Sequence, residues 1–568
     1  MTVKHATRIS LLSLLVAWGF DQLFWQKPLG VSFFIFVVLC LLAGALITRW
    51  ESLRPAVASL LILPVVLFFA VVTFLRQEPF TQVLSVLLVM GALMVLAITW
   101  LGGKWLRYSL SDYFMGFIYL MGSALARPVS ILFGRANPAN GAGTPVSANG
   151  QVKAADSPAM AGSGIPVAET PALLGEAPAL LRVERRPRPL WGILRGLLLA
   201  LPVVALLAAL LAAADPIFSK QVEQFLKFFR IENLGEYIFR MIYILIGAYL
   251  LIGVFLHAIG PSRAEKLIGV EKPWLAPFLG WLEAVIVLGA VDLLFLFFVI
   301  IQFRYFFGGQ TNIHIDGYTF AEYARRGFCE LVAVAVISLI LFLGLSAVAR
   351  RDSGQQRAVF SVLGIGLVAL VATILVSAFQ RLLLYEAAYG FSRLRTYTHV
   401  FMVWVGILLL VTVVVELLGK LRAFALAGVL VLVGFGLSIS LINVDGFIVR
   451  QNVARAVAGW ELDSGYLVGL SDDAAQVLVD EFNTASRSPA LHDDIGAVLA
   501  CRAAVAGQDK RVRPWPAYNW PYANARQLYA LYQAQLAAYP VRDGGGQGGL
   551  VVKVHGAERS CEANRVID

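Results

Sequence analysis

"WLEAVIVLGAVDLLFLFFVI", Trp281–Ile300, decides the fold class. As an α-helix its twenty residues rise about 30 Å, the thickness of a bilayer's hydrocarbon. Only Glu283 and Asp292 within it ionise, and the run has no polar face to offer water. Comparable apolar segments recur at 9–25, 30–49, 57–75, 82–101, 190–212, 237–259, 278–303, 327–348, 357–380, 398–418 and 423–442. The expected fold is therefore an all-α polytopic membrane protein with about eleven transmembrane helices. Tyr108–Ala126 carries Asp112 and reads as an interfacial helix, with a crossing as the alternative.

Composition agrees. Of 568 residues, 59% are hydrophobic and 14% charged, with a mean hydropathy of +0.75, which excludes an ordinary soluble domain. The net charge of +10 does not indicate nucleic acid, because the basic residues flank apolar runs. The N-terminus starts basic and apolar without a clear small-residue cleavage site, and reads as a retained first span.

Four units follow. Residues 1–134 form a front membrane block; 135–189, rich in Ala, Gly, Pro and Ser, form a disordered cytoplasmic linker; 190–443 form a rear block; and 444–568 form a soluble, mainly helical domain. Lysine and arginine collect in "KHATR", "RWESLR", "GGKWLR", "RVERRPRP", "ARRDSGQQR" and "GKLR". That bias puts the N-terminus in the cytoplasm and the tail outside a bacterial inner membrane. In the tail, Ser471 reads as a helix N-cap, and helices are expected over 492–506 and 523–538. Cys501 and Cys561 form a bridge if that compartment oxidises them, and are otherwise two unrelated thiols.

The candidate chemistry lies at the surface that this bias places outside. In "YTFAEYARRGFCEL", Tyr318–Leu331, Thr319 and Glu322 fit a capping box, and Glu322, Arg326 and Glu330 are spaced to pair along one helix face. Arg325 is left over. With Arg326, Arg381, Arg393, Arg395 and Tyr385 it forms a candidate anion-binding mouth for a lipid phosphate or envelope component, since guanidinium forks suit phosphate and carboxylate. The blander reading pairs these arginines with Glu322, Glu330 and Glu386. Tyr389 adds a second hydroxyl.

Glu283 and Asp292, nine residues apart, fall on opposite faces of one helix and cannot act as a carboxylate pair. Asp292, nearer mid-span, is the better proton or cation candidate, and its bland alternative is a carboxyl hydrogen-bonded to a neighbouring helix. His257 reads as interfacial, and His492 and His555 have no zinc-site spacing. "WPAYNWPYANARQLYALY" either contacts the membrane surface or a partner, or packs its own domain. "GGGQGG" lacks a P-loop's lysine, and no nucleophile elbow, H-E-x-x-H or Cys-x-x-Cys occurs, so no cofactor or metal is expected.

"YFFGG", "YTFAEYARRGFCEL", "RLLLYEAAYGFSRLR" and "DGFIVRQNVAR…YLVGLSDDA", between Tyr305 and Ala474, together resemble a family of uncharacterised bacterial multi-pass membrane proteins carrying a domain of unknown function. The resemblance implies an inner-membrane location and no particular chemistry. The first expectation is thus a non-enzymatic envelope protein that senses, scaffolds or regulates through a protein partner of its tail. A secondary transporter coupled through Asp292 is the alternative, and a transferase acting on lipid-linked substrates is a weaker one.

Overall fold

The computed structural model describes residues 5–133, 234–264, 277–307, 328–420, 422–509, 513–544 and 549–562, with a few isolated positions besides. Helices α1 (Ala6–Phe24), α2 (Val31–Trp50), α3 (Val57–Leu60), α4 (Leu63–Leu75), α5 (Pro79–Thr99) and α6 (Leu110–Phe133) come first. After the linker come α7 (Leu234–Ile259), α8 (Trp281–Phe307), α9 (Phe328–Val348), α10 (Gly354–Tyr389), α11 (Arg393–Leu417) and α12 (Ala423–Ile442). Nine stretches among the described residues are long and apolar enough to cross a membrane: α2, α3 with α4, α5 and α7 to α12. The chain is a multi-pass, all-α membrane protein. The expected first span is helical as α1 but carries Arg8 and Asp21 and is not among the nine. The expected span 190–212 and the linker lie almost wholly outside the described residues.

Small residues bring these helices together, because lipid tails supply no hydrophobic drive between apolar surfaces. A β-carbon at Gly364 in α10 would lie 2.2 Å from the Phe342 ring of α9, so the ring packs directly on the α10 backbone in a space that any larger residue would fill. At Gly436 in α12 the same test meets Leu88 of α5 at 2.4 Å and Phe69 of α4 at 3.1 Å, which joins the front helices to the rear ones. Helix α6 reaches both α12 and α7 through polar contacts. Asp112 in its first turn is 3.8 Å from Arg422 at the start of α12, and Ser123 contacts His257 near the end of α7 at 3.0 Å.

The tail begins without a linker. Asn443 takes a left-handed conformation (φ 51°, ψ 77°) that turns α12 into α13 (Val444–Val457), and its side chain caps the new helix by accepting from Gly446 N. Asparagine tolerates that region better than most residues. Then follow α14 (Ser464–Val468), α15 (Ala475–Thr484), α16 (Pro489–Gln508), α17 (Trp520–Leu531) and α18 (Gln533–Leu536). Helix α16 covers the expected 492–506, and α17 with α18 covers most of 523–538.

A three-stranded antiparallel sheet, β1 (Val541–Asp543), β2 (Leu550–Val554) and β3 (Ala557–Ser560), adds to the expected helices. In β2, Val552 and Val554 are buried on either side of exposed Lys553, the alternation that seats one face of a sheet on a core. That core includes Ile439 from span α12 and packs Phe391 and Tyr397, so the tail shares its interior with the bundle.

Cys501 in α16 is bonded to Cys561, just past β3, with Cα atoms 5.2 Å apart and both residues buried. The bond closes a loop of 60 residues and clamps the sheet to the helix. A loop of that size constrains the unfolded chain by about 4 kcal/mol. Cys561→Ser should lower the protein's unfolding temperature and raise amide exchange across β2 and β3, and peptide mapping of the unaltered protein without reductant should recover the linked pair. An unchanged exchange pattern would deny the clamp its role.

Candidate functional site

Where α4 turns into α5, α11 begins and α12 ends, polar groups are buried that a bundle end would normally leave to water. The turn is "RQEP", Arg76–Pro79. Helix starts leave N–H groups unpaired, and acidic side chains satisfy them best. Glu78, almost fully buried, accepts from Phe80 N (2.9 Å), Thr81 N (2.7 Å) and the Thr81 hydroxyl (2.6 Å), with Pro79 at the first helical position. It also accepts from the Tyr397 hydroxyl of α11. The preceding N–H groups, of Gln77 and Glu78 themselves, both donate to Asp473 Oδ2 of the tail at 2.7 Å. Arg76 Nε donates to the Ser440 carbonyl of α12 at 2.9 Å, satisfying a helix C-terminus.

The second half of the junction is an ion pair. Arg393, first residue of α11, meets Asp445 in the first turn of α13 with Nε–Oδ1 at 2.7 Å and Nη2–Oδ2 at 2.6 Å. Asp445 has no solvent exposure, and its Oδ2 also accepts from Ser471 N at 2.7 Å. The backbone N–H of Arg393 donates to the Tyr466 hydroxyl at 2.9 Å.

Behind this pair lies Arg502 of α16, almost fully buried. It donates to the carbonyls of Leu467, Val468, Leu470 and Ser471, and also to Asp472 and Tyr529. Burial pushes the Asp473 carboxyl up to about 6 despite its two backbone hydrogen bonds. Its Oδ1 is buried and accepts no hydrogen bond among the described residues.

The expected site residues divide as follows. Arg325, Arg326 and Glu322 lie outside the described residues. Arg393 is held by Asp445. Arg395 donates to the Gly390 carbonyl at 2.6 Å and lies 4.2 Å over the Tyr385 ring, which in turn meets Tyr389. Arg381 is half-buried on α10, and Glu330 is exposed at the start of α9. Glu386 is buried 3.1 Å from His399 Nδ1, so among the described residues its ion-pair neighbour is a histidine and not Arg381, Arg393 or Arg395.

Glu283 accepts from Gly280 N at 3.0 Å and caps the start of α8. Asp292 faces α10, where a β-carbon on Gly366 would lie 3.7 Å from Oδ2; its Oδ1 is buried and has no hydrogen bond among the described residues. Sequence reasoning missed Glu78, Asp445, Asp473 and Arg502. The one signal available was Glu78 immediately before Pro79, a helix-start pattern.

A cleft of about 570 Å³ opens in the tail between α14, α16 and β3. Glu461, Asp463, Ser464, Asp494, Arg559 and Ser560 supply its polar lining, and Val468, Val498 and Val552 its apolar part. Asp494 is paired with Arg559 at 2.8 Å, and Asp463 caps α14 through Tyr466 N at 2.9 Å.

The chain belongs to the family defined by a domain of unknown function (DUF4153), which matches residues 62–481. That stretch holds Glu78, Arg393, Asp445 and Asp473, and stops short of Arg502, Asp494, Arg559 and the disulfide. No curated protein and no solved structure matches the chain.

Arg393→Met strands a fully buried carboxylate and should cost about 3–5 kcal/mol, whereas the double variant Arg393→Met/Asp445→Leu should recover most of the loss. Thermal unfolding in nanodiscs reads both, and strictly additive losses would contradict the pairing. An acid raised above its unfolded value favours folding when protonated. Asp473 therefore contributes fully below about pH 4, and the contribution disappears as pH rises through about 6. The stability difference between the protein and Asp473→Asn should shift by roughly 2–3 kcal/mol across that window. A pH-independent difference would refute the assignment.

Proposed function

We propose that this DUF4153 member is a non-enzymatic sensor or scaffold of the bacterial envelope, in which events at the tail are passed to the membrane helices. One observation carries the reading. Arg502 ties together the carbonyls of Leu467, Val468, Leu470 and Ser471, a segment that includes Val468 of the cleft wall. Two residues past its end, Asp473 holds the first N–H groups of span α5. A displacement of the cleft wall therefore reaches a span start within a few residues, through buried hydrogen bonds rather than a loose linker.

Charge placement supports a cytoplasmic location for the end away from the tail. Arg49, Arg54, Lys104, Arg107, Arg350, Arg351, Arg357, Lys420 and Arg422 gather in the loops and helix ends there. The tail is then extracytoplasmic, which suits its disulfide. In this reading Arg393 serves the junction, and anion binding would fall to Arg325, Arg326 and Arg381.

The test is mechanical. In a Cys40→Ser/Cys329→Ser background, Ser464→Cys carrying a bulky maleimide should raise amide exchange over residues 76–82. The same label on Leu531→Cys, exposed on α17, should not. Full labelling of the cleft without any change at 76–82 would defeat the coupling.

A second reading, a secondary transporter, draws on Asp292, whose Oδ1 is buried in a span without a hydrogen bond among the described residues. Asp292→Asn should then abolish proton-coupled solute uptake in proteoliposomes, and unchanged uptake would remove that role.

A further inference from the structure

The aromatic run of the tail is used in an unexpected way. In "WPAYNW", Trp515–Trp520, the small residues do the packing: Ala517 is fully buried, Asn519 almost so, and Pro516 is buried. Trp515, Tyr518 and Trp520 are instead 67%, 46% and 47% exposed. A domain packing its own aromatics does the reverse, as Tyr529 and Tyr539 do a few residues later, both mostly buried. So three large side chains are turned outward from a segment whose backbone is fixed.

What fixes the backbone also sets its depth. The Tyr518 carbonyl accepts from Val31 N, the first residue of span α2, at 2.9 Å. Gly30 is flush against Ala517, where a β-carbon would lie 2.6 Å from the backbone, so any other residue would push the segment away. On its other side, Asn519 Nδ2 donates to the Arg76 carbonyl just beyond the end of α4 at 3.4 Å. The segment is thus held level with the points where two spans leave the apolar zone. Beside it, Phe80, Val83 and Leu87 form an exposed apolar ladder down α5 at helical spacing, the surface a span presents to lipid. The outward aromatics stand at the level where that span begins, since Asn519 is bonded to the Arg76 carbonyl, three residues before Pro79. Arg513, stacked 3.5 Å over Tyr522, stands next to them with a charge suited to phosphate.

We propose that Trp515, Tyr518 and Trp520 seat the tail in the interfacial layer of the bilayer, with the rings among the headgroups and upper acyl chains. Tryptophan and tyrosine favour that layer because the ring is apolar while its N–H or O–H stays hydrated. The tail is thereby attached twice: to the helices through the buried junction, and to the lipid beside them. This holds whichever side of the membrane the tail occupies and does not depend on a sensing role.

The test uses the full chain in nanodiscs of phosphatidylcholine and phosphatidylglycerol. In the Cys40→Ser/Cys329→Ser background, Trp515→Cys, Tyr518→Cys or Trp520→Cys is introduced singly, so that the other two aromatics remain, and carries a nitroxide. Leu531→Cys, 75% exposed at the far end of α17, is the reference. Collision rates with oxygen and with a water-soluble nickel chelate are compared. The proposal expects each of the three positions to gain oxygen contact and to lose at least half of the nickel contact seen at Leu531→Cys. High contact with both reagents, as at the reference, would overturn it by showing a water-facing patch. Low contact with both would also overturn it, because protein and not lipid would then cover the rings.

Discussion

The buried pair between Arg393 and Asp445 is the constraint on which the arrangement of tail and bundle depends. A carboxylate with no solvent exposure is tolerable only if its charge is paired and both oxygens are hydrogen-bonded. Asp445 meets that condition with a two-point guanidinium contact and one backbone N–H. The requirement is geometric as well as electrostatic. It places α11, α13 and the Ser471 turn within hydrogen-bond reach of one another, and the Ser471 turn brings Asp473 onto the start of α5. Moving any of these by an ångström would leave a buried charge unsatisfied, so the network specifies one docking position more than it adds stability.

A bilayer makes such a junction necessary. The N–H groups of Gln77 and Glu78 sit at a tight turn between two spans, covered by the tail and so unable to reach water. Asp473 from the tail takes over water's role for these two, and Glu78 from the turn itself does so for Phe80 and Thr81. The same logic explains why α10 continues to Tyr389. Its 36 residues rise about 54 Å, well beyond the hydrocarbon, and the excess delivers Arg381, Tyr385 and Glu386 to the level of the junction.

Much of this architecture was legible in the sequence, for a physical reason. Crossing hydrocarbon demands about twenty apolar residues in succession, a local signal, and so the expected 30–49 and 423–442 fall on Val31–Trp50 and Ala423–Ile442 within a residue. The surplus of arginine near 381–395 was equally local. Its partners were not. Asp445 lies 52 positions from Arg393, and Glu78 lies 319 from Tyr397, separations that no helical spacing reveals. Asp445 and Asp473 read alone as ordinary first-turn acids, which they also are. The sheet escaped notice because its strands are three to five residues long and flank a glycine run that reads as a loop. The aromatic run left both outcomes open, since exposure depends on which residues Gly30 and Arg76 admit to contact.

The central claim is that tail and bundle form one cooperative structure joined by buried polar contacts. It is tested most directly by chemical unfolding in nanodiscs with two fluorescent reporters, one at Leu531 in the tail and one at an exposed position of the bundle such as Val57. Coincident transitions in the unaltered protein, separating into two when Asp445 is replaced by Ala, are the predicted result. Two separate transitions already present in the unaltered protein would contradict the account, because the tail would then be an independent domain merely resting on the helices.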